Sequence, residues 1–135
     1  MFLRLNHQGL AAYQYAKALC LECYRITTVL PSEERFNLVQ QIRRASISVM
    51  LNLSEGSSRK SAAERKRFYE IARGSVIELD AALEICNDLG YLKNYDCEII
   101  ASNMRKTFGT LSNLLKTQNP PIDPFTHSPI HSLTH

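Results

Sequence analysis

The chain has 135 residues, enough for one domain that buries a core without metal ions or disulfide bonds. Its composition, 44% hydrophobic and 21% charged, is typical of a globular protein and excludes a disordered or fibrous chain. The formal net charge of +3 is too small to indicate nucleic-acid binding by itself, so the distribution of charge matters more.

The first residues contain no apolar run of the length found in secretory signal peptides. No segment approaches the roughly 18 consecutive apolar residues that a membrane-spanning helix needs. We therefore expect a cytoplasmic protein without a membrane contact, whose four cysteines stay reduced.

Apolar residues at steps of three and four predict a first helix over about residues 8–30, ended by Pro31. Its inward face is assigned to Leu10, Tyr13, Ala16, Cys20, Cys23, Thr27 and Leu30. A second helix is predicted from a Ser32 cap to about residue 57, with Gly56 as its stop. Its apolar band is wider than one bundle face needs, which indicates a second buried contact, such as one with another subunit.

The third helix, about residues 61–89, opens with the capping box Ser61-Ala62-Ala63-Glu64 and closes at a left-handed Gly90. Its inward stripe is assigned to Phe68, Ile71, Ala72, Ser75, Leu79, Ala82, Leu83 and Cys86. A fourth helix covers about residues 95–116, with Ile100, Met104, Phe108, Leu111 and Leu115 inward. Because the loops are short, consecutive helices must be antiparallel, which predicts an all-α, up-down-up-down four-helix bundle.

The predicted bundle domain covers residues 1–117, and residues 118–135 form a tail rich in Pro, His and Ser that is expected to be disordered. His127, His131 and His135 are spaced four apart, but Pro129 argues against a helical histidine face that could bind metal.

No catalytic motif, phosphate loop or paired acid–base set is present, so neither an enzyme nor a cofactor nor a small-molecule substrate is predicted. Cys20 and Cys23 form a Cys-x-x-Cys in the middle of a helix, where core packing is the expected role. A zinc site built from all four cysteines is conceivable, although a second Cys-x-x-Cys is missing.

Charge is segregated along the chain. Residues 43–73 hold eight basic and three acidic side chains, a net charge of +5, whereas residues 74–100 hold one basic and six acidic, a net of −5. Clustered Lys and Arg indicate contacts with a nucleic-acid backbone, and a merely solvated charged face is the alternative. The candidate nucleic-acid-binding residues are Arg43, Arg44, Arg59, Lys60, Arg65, Lys66, Arg67 and Arg73.

Antiparallel packing about a turn near Arg59 would place Arg43 and Arg44 opposite Gly74 and Ser75. We predict that one of these arginines crosses Gly74, which would permit a close helix approach, to pair with Glu78. The same geometry puts Asn52 and Glu55 near Arg65, Lys66 and the cap of the third helix. The predicted interhelical polar set is therefore Asn52, Glu55, Gly74, Ser75 and Glu78.

Two segments carry a family resemblance. The first consists of Gln41-Ile42-Arg43-Arg44-Ala45, Ser48-Val49, Asn52-Leu53-Ser54-Glu55-Gly56 and Arg59. The second is Arg67-Phe68-Tyr69-Glu70-Ile71-Ala72-Arg73-Gly74-Ser75 followed by Glu78-Leu79, and Leu30-Pro31 with Glu34 and Phe36 fits the usual first turn. Together they resemble the signature of the 23S rRNA-intervening-sequence proteins over residues 10–115, with Leu53-Ser54 in place of the commoner Ile-Ala.

The resemblance implies a bacterial four-helix bundle that assembles as a homopentamer and has no established catalytic activity. The family is similar to the accessory variability determinant of diversity-generating retroelements, a basic pentamer that binds nucleic acid and a reverse transcriptase. Our hypothesis is a non-catalytic, homopentameric accessory protein that binds an RNA or DNA backbone, with RNA favoured only by family association. The alternative is a protein-interaction scaffold that docks a partner such as that reverse transcriptase.

Overall fold

The computed structural model describes residues 2–5, 7 and 10–118. Four α-helices make up the fold: α1, Ala11–Thr27; α2, Leu38–Ser58; α3, Ala62–Asp88; and α4, Glu98–Thr117. Each helix packs against the next one in the chain, and α4 packs back against α1. The predicted all-α, up-down four-helix bundle is confirmed, and the predicted tail lies outside the described residues except for Gln118.

The bundle has two ends. One holds the α2–α3 turn (residues 59–61), the start of α1 and the end of α4, and is called the basic end below. The other, the far end, holds the α1–α2 connection (residues 28–37) and the α3–α4 connection (residues 89–97). Among the described residues, none of the helices has the length and hydrophobicity needed to cross a lipid bilayer.

Helix α1 is shorter than predicted, and its predicted inward stripe is confirmed in part: Ala16, Cys23, Thr27 and Leu30 are buried. Leu19 and Ile26 are fully buried, whereas Cys20 and Tyr13 of the predicted stripe are only partly covered. The spacing of apolar residues alone could not show which face of α1 is buried. Leu21 and Tyr24 extend the apolar surface of this helix although they are exposed.

The start of α2 also differs from the prediction. Residues Ser32–Glu34 form a short 3-10 helix, and α2 itself begins at Leu38, after Asn37 adopts a non-helical backbone with φ −129° and ψ −97°. This break leaves Phe36 outside the helix with 75% of its surface exposed.

Gly56 does not end α2, which continues to Ser58. A Cβ atom at this position would lie 2.8 Å from Cε1 of Tyr69 and 3.0 Å from Cβ of Phe68, so the glycine lets α3 pack closely. Tyr69 is buried there, and its hydroxyl is 3.0 Å from Oγ of Ser57.

The ends of α3 are as predicted. Ser61 Oγ accepts a hydrogen bond of 3.2 Å from the Glu64 amide. At the other end Gly90 has φ +81°, its amide bonds to the Asn87 carbonyl, and the Tyr91 amide bonds to the Cys86 carbonyl. This pair of hydrogen bonds is the Schellman motif, which requires a left-handed residue after the helix.

The core consists of two clusters stacked along the bundle axis. Leu19, Ile26, Ile42 and Leu79 centre the cluster nearer the far end. The cluster nearer the basic end is made by Ala12, Ala16, Val49, Leu53, Tyr69, Ala72, Val76, Leu111 and Leu115. Two residues predicted to face inward are exposed instead, Ile71 at 42% and Phe108 at 39%.

Two tyrosines of the α3–α4 connection hydrogen-bond buried glutamates at the far end. The Tyr95 hydroxyl donates to Glu22, which also pairs with Arg25 at 2.9 Å, and the Tyr91 hydroxyl donates to Glu34 at 3.3 Å. Burial, followed by the hydrogen bond and negative charge of Glu22, raises the pKa of Tyr95 to about 12. These contacts attach the connection to α1 and to the 3-10 helix.

We expect Gly56→Ala to destabilise the fold by roughly 1–3 kcal/mol, because the added methyl group would displace the buried Tyr69 ring. Gly109→Ala is the matched control. That glycine lies in α4 with no atom within 4 Å of an added Cβ, so the change should stabilise by up to about 1 kcal/mol through helix propensity. Urea denaturation measures both, and stabilisation by both substitutions would contradict the close approach at Gly56.

The Tyr95 contact also predicts a pH dependence of stability. The folded-state pKa lies above the ordinary value of 10, so the stabilising contribution is complete below pH 10 and is lost as the pH rises towards about 12. Tyr95→Phe should therefore flatten the fall in unfolding free energy across this range. Burial raises the pKa of the Cys23 thiol to about 12, but this effect is common to both proteins and cancels in their difference. Parallel alkaline profiles would contradict the assignment.

Candidate nucleic-acid interface

The α2–α3 turn brings five of the eight candidate basic residues to one end of the bundle. They are Arg59, Lys60, Arg65, Lys66 and Arg67. The turn is only three residues long, so the last residues of α2 and the first turn of α3 must be neighbours. Helix α4 ends beside the same turn and adds the exposed Lys116.

Arg65 holds the turn together. Its Nη1 donates to the carbonyl oxygens of Arg59 at 3.0 Å and Lys60 at 2.7 Å, and its Nε donates to Oε1 of Gln118 at 2.6 Å. One guanidinium thus satisfies two carbonyls just beyond α2 and ties α3 to the end of α4. Its hydrogen-bonding groups are largely used inside the protein, so Arg65 is a structural residue more than a ligand-binding one.

Phe68 lies between two arginines. The guanidinium carbon of Arg59 is 5.1 Å from the ring centroid and that of Arg67 is 5.5 Å from it, both within cation–π range. Arg59 also pairs with Glu55 at 2.7 Å within α2. The shared ring holds both guanidinium groups at the surface and limits their rotamer freedom.

Lys60 and Lys66 form no side-chain hydrogen bond or ion pair with any described residue. Lys60 is exposed and Lys66 partly exposed, beside the Arg67 guanidinium. Three carboxylates are nearby: Glu55, which Arg59 already neutralises, Glu64 of the capping box, and Glu70, one helical turn after Lys66. The basic end therefore keeps a surplus of uncompensated positive charge.

The other three candidates lie elsewhere. Arg43 turns towards α1, where its Nε donates to Thr27 Oγ1 at 3.0 Å and its guanidinium covers the Tyr24 ring at 4.6 Å. Arg44 donates to Gln41 at 2.6 Å on α2, and Arg73 leans over Phe108 of α4 at 5.9 Å. These arginines are not part of the basic cluster at the turn.

The predicted pairing of Arg43 or Arg44 with Glu78 is wrong for the single chain. The described residues contain two ion pairs, Arg25–Glu22 and Arg59–Glu55. The predicted close approach at Gly74 is also wrong, since a Cβ added there would meet no atom within 4 Å. The prediction failed because the α2–α3 register differs from the one assumed: Ser48 lies opposite Ser75, where Arg43 or Arg44 was expected.

The interhelical polar set is replaced by a different network. Ser48 Oγ lies 2.8 Å from Ser75 Oγ, and Asn52 Nδ2 donates to Ser48 Oγ at 3.0 Å and to its carbonyl at 2.9 Å. Asn52 and Ser75 are thus connected through Ser48. Glu55 pairs with Arg59 in its own helix instead of approaching Arg65 or Lys66.

All four cysteines are free thiols, and the described residues contain no group of three or more His, Cys, Asp or Glu side chains that could hold a metal ion. Cys23 and Cys86 are buried in the core. Cys20 is partly covered and accepts a long hydrogen bond of 3.6 Å from Ser46 Oγ.

Family comparison agrees with this architecture. The profile described as "23S rRNA-intervening sequence protein" matches residues 8–113, which is most of the chain. The chain belongs to this family. Comparison with curated proteins gives no match.

Three features of this 23S rRNA-intervening sequence protein escaped the sequence analysis. The contact between Arg65 and Gln118 joins residues far apart in the chain, and no local pattern indicates it. The role of Ser48 follows from the α2–α3 register, which the sequence did not supply. The position of Phe68 between two arginines could have been inferred, since Arg67 is adjacent and helix geometry faces residue 68 towards the turn.

We expect Arg65→Met to lower the unfolding free energy by about 1.5–3 kcal/mol, because charged hydrogen bonds to two carbonyls and an amide are lost. Arg65→Lys should be nearly as damaging, since an ammonium group cannot reproduce the guanidinium fork. Lys66→Met is the control and should change stability by less than about 0.5 kcal/mol. Equal effects at positions 65 and 66 in urea denaturation would show that Arg65 does not hold the turn.

Proposed function

We propose that this protein is a non-catalytic, homopentameric accessory protein that binds the sugar–phosphate backbone of RNA or DNA through its basic end. The observation that carries the proposal is the arrangement of charge at the α2–α3 turn. Arg65 fixes the turn from inside, while Lys60, Lys66 and Arg67 remain on its surface without a carboxylate partner.

Phosphate oxygens suit these side chains in different ways. Lysine ammonium groups act as mobile point charges, whereas a guanidinium presents two parallel donors to one phosphate. Arg59 and Arg67 are already oriented by the Phe68 ring, so they lose less conformational freedom when they bind. Because the cluster lacks an exposed aromatic platform, it favours binding by charge and shape, with low sequence specificity.

Assembly would multiply this charge. A single bundle offers few uncompensated cations, which gives weak, salt-sensitive binding, and five copies would place the same cluster at five points on one nucleic acid. The family resemblance is the reason for proposing five copies and a preference for RNA.

A protein-interaction scaffold is the second candidate, and the charge of the far end favours it. Four exposed acidic side chains lie there, Glu33, Asp88, Asp96 and Glu98, against the exposed Arg35 and Lys93, so the far end is net negative. A net negative surface suits a basic partner protein, and the partner proposed for this role is a protein such as the reverse transcriptase of a diversity-generating retroelement. Loss of nucleic-acid binding with partner binding intact, after charge reversal at the basic end, would separate the two roles.

The double variant Lys66→Glu/Arg67→Glu should weaken binding to single-stranded RNA or duplex DNA by about tenfold or more at low salt, and should also reduce the salt dependence. Fluorescence anisotropy at several salt concentrations measures both. The control is Lys17→Glu/Lys93→Glu, which lowers the formal net charge by the same four units but changes residues away from the turn.

If the nucleic acid binds at the basic end, the control Lys17→Glu/Lys93→Glu should bind it at least several times more tightly than Lys66→Glu/Arg67→Glu does. Equal weakening by both would mean that net charge alone attracts the nucleic acid. Binding that does not change with salt, or no binding at low salt, would contradict the proposal, because phosphate contacts release counterions.

A further inference from the structure

The outer side of α2 and α3 forms an open groove of about 1180 Å³, called the α2–α3 groove below. Four large apolar side chains are exposed along it: Phe36 at 75%, Ile47 at 36%, Leu51 at 61% and Ile85 at 50%. The charged residues that line it are Arg35, Arg43, Arg44 and Glu78. An apolar surface of this length with a basic rim is typical of a protein contact site.

The adjacent side of the bundle, between α3 and α4, has the complementary character. It contains two apolar hollows of about 290 Å³ each. The first, nearer the far end, has Leu83, Leu92 and Ile100 among its lining residues, with Asp80 and Glu84 also lining it. The second is lined by Val76, Ile77 and Phe108 together with Asp80 and Arg105. An apolar cavity of roughly 150 Å³ already accepts a benzene ring, so the first hollow is large enough for a phenylalanine side chain.

The hydrogen bond between Ser48 and Ser75 shows which residues of α2 and α3 lie at equal height along the bundle. Both helices rise about 1.5 Å per residue in opposite directions. Leu38, where α2 begins, is ten residues before Ser48, and Ile85 is ten residues after Ser75, so α2 begins level with Ile85. Phe36 lies two residues before this start and lines the α2–α3 groove together with Ile85, which places it near the height of the first hollow that Glu84 and Asn87 help to line.

The remaining features of the two surfaces match at equal height as well. Ile47 precedes Ser48 by one residue and therefore lies level with Val76 at the second hollow. Arg44 is level with Leu79, next to Asp80 on the α3–α4 side. If two copies stand side by side with their ends level, the apolar side chains of one groove therefore face the hollows of the neighbouring copy. Arg44 of the first copy then faces Asp80 of the second.

We propose that the α2–α3 groove of one copy binds the α3–α4 side of a second copy, with Phe36 inserted into the hollow of Leu83, Leu92 and Ile100 and Arg44 paired with Asp80. The inference rests on the proposed self-association and names the surfaces that produce it. It also explains why Phe36 is exposed and why Arg44 has only a neutral partner, Gln41, in the single chain.

The two surfaces are neighbouring sides of one bundle, so they face directions about 90° apart. A contact between unlike surfaces is heterologous, and repetition at this angle closes a ring after four or five copies. Helix α3 contributes to both surfaces and therefore lies towards the ring axis. A groove-to-groove dimer is disfavoured, because each groove carries three arginines and one carboxylate, Glu78, so two grooves would face each other with an excess of positive charge. The α1–α4 side, where Lys106 lies over Tyr15, is a poor partner for the same reason.

Size-exclusion chromatography with light scattering tests the contact on the full chain. The wild type should have a mass several times that of the 15.4 kDa chain, and Arg44→Glu, Asp80→Arg and Phe36→Ala should each shift it towards a single chain. All three residues are exposed, so circular dichroism should stay that of a helical bundle. The charge-swapped Arg44→Glu/Asp80→Arg chain should regain the wild-type mass. Leu21→Ala, an exposed apolar residue of α1 outside both surfaces, is the control.

The outcomes separate this contact from the proposed function. An assembled wild type whose mass is unchanged by the three single substitutions overturns the contact and leaves homo-oligomerisation standing. If Arg44→Glu and Asp80→Arg each give the mass of a single chain and the charge-swapped double variant does so too, the Arg44–Asp80 pairing is overturned. A wild type that stays a single chain at all concentrations overturns both the contact and the pentamer, whereas nucleic-acid binding is judged independently by its salt dependence.

Discussion

The close packing of α2 against α3 is the constraint on which the other features depend. Gly56 removes the side chain that would separate the helices near the turn, so Tyr69 can be buried against the α2 backbone. Halfway along the pair, Ser48 and Ser75 share a hydrogen bond. Two contacts at different heights leave one register for the pair, and a slip by one residue would separate the serines and place a larger side chain against Tyr69. The positions of the turn, the groove and every charge on these helices follow from that register.

The sequence was sufficient to predict the four-helix architecture and both ends of α3. Capping signals such as Ser61 with Glu64, and Gly90, act within one helical turn, so they can be interpreted without the rest of the fold. The start of α2 was misplaced because Ser32 and the two glutamates after it do form a helical turn, but a 3-10 one that Asn37 interrupts. Local chemistry predicted that a turn would form and could not determine whether it would continue.

The basic cluster at the turn could be predicted for a similar reason, since residues adjacent in the chain on either side of a short turn remain adjacent in space. Contacts between distant residues could not. Gly56 was interpreted as a helix stop, yet it serves helix packing. The two helices were also assumed to pair symmetrically about Arg59, whereas Ser48 pairs with Ser75. The partners assigned to Arg43 and Arg44 were then wrong, although the residue types were suitable for ion pairs. A register error affects every cross-helix contact at once, whereas composition and capping are insensitive to it.

The structure divides the wide apolar band of α2 between the core and the surface. Ile42, Val49 and Leu53 enter the core, whereas Ile47 and Leu51 remain outside, as does Phe36 just before the helix. A helix of a solitary bundle has no need for the second group, because exposed Phe and Leu gain no burial energy and favour aggregation. The contact proposed between copies would bury this second group of side chains.

The orientation of charge connects that second face to the proposed function. If copies associate at equal height about a common axis, every basic end lies on one side of the ring and every far end on the other. The repulsion between neighbouring basic ends is then offset by the buried apolar contacts and by the charge pairs between groove and α3–α4 side. Nucleic acid would be attracted to one side only, which leaves the acidic side accessible to a basic protein. The nucleic-acid-binding and scaffold hypotheses therefore use opposite ends of the same bundle, and a single ring could perform both at once.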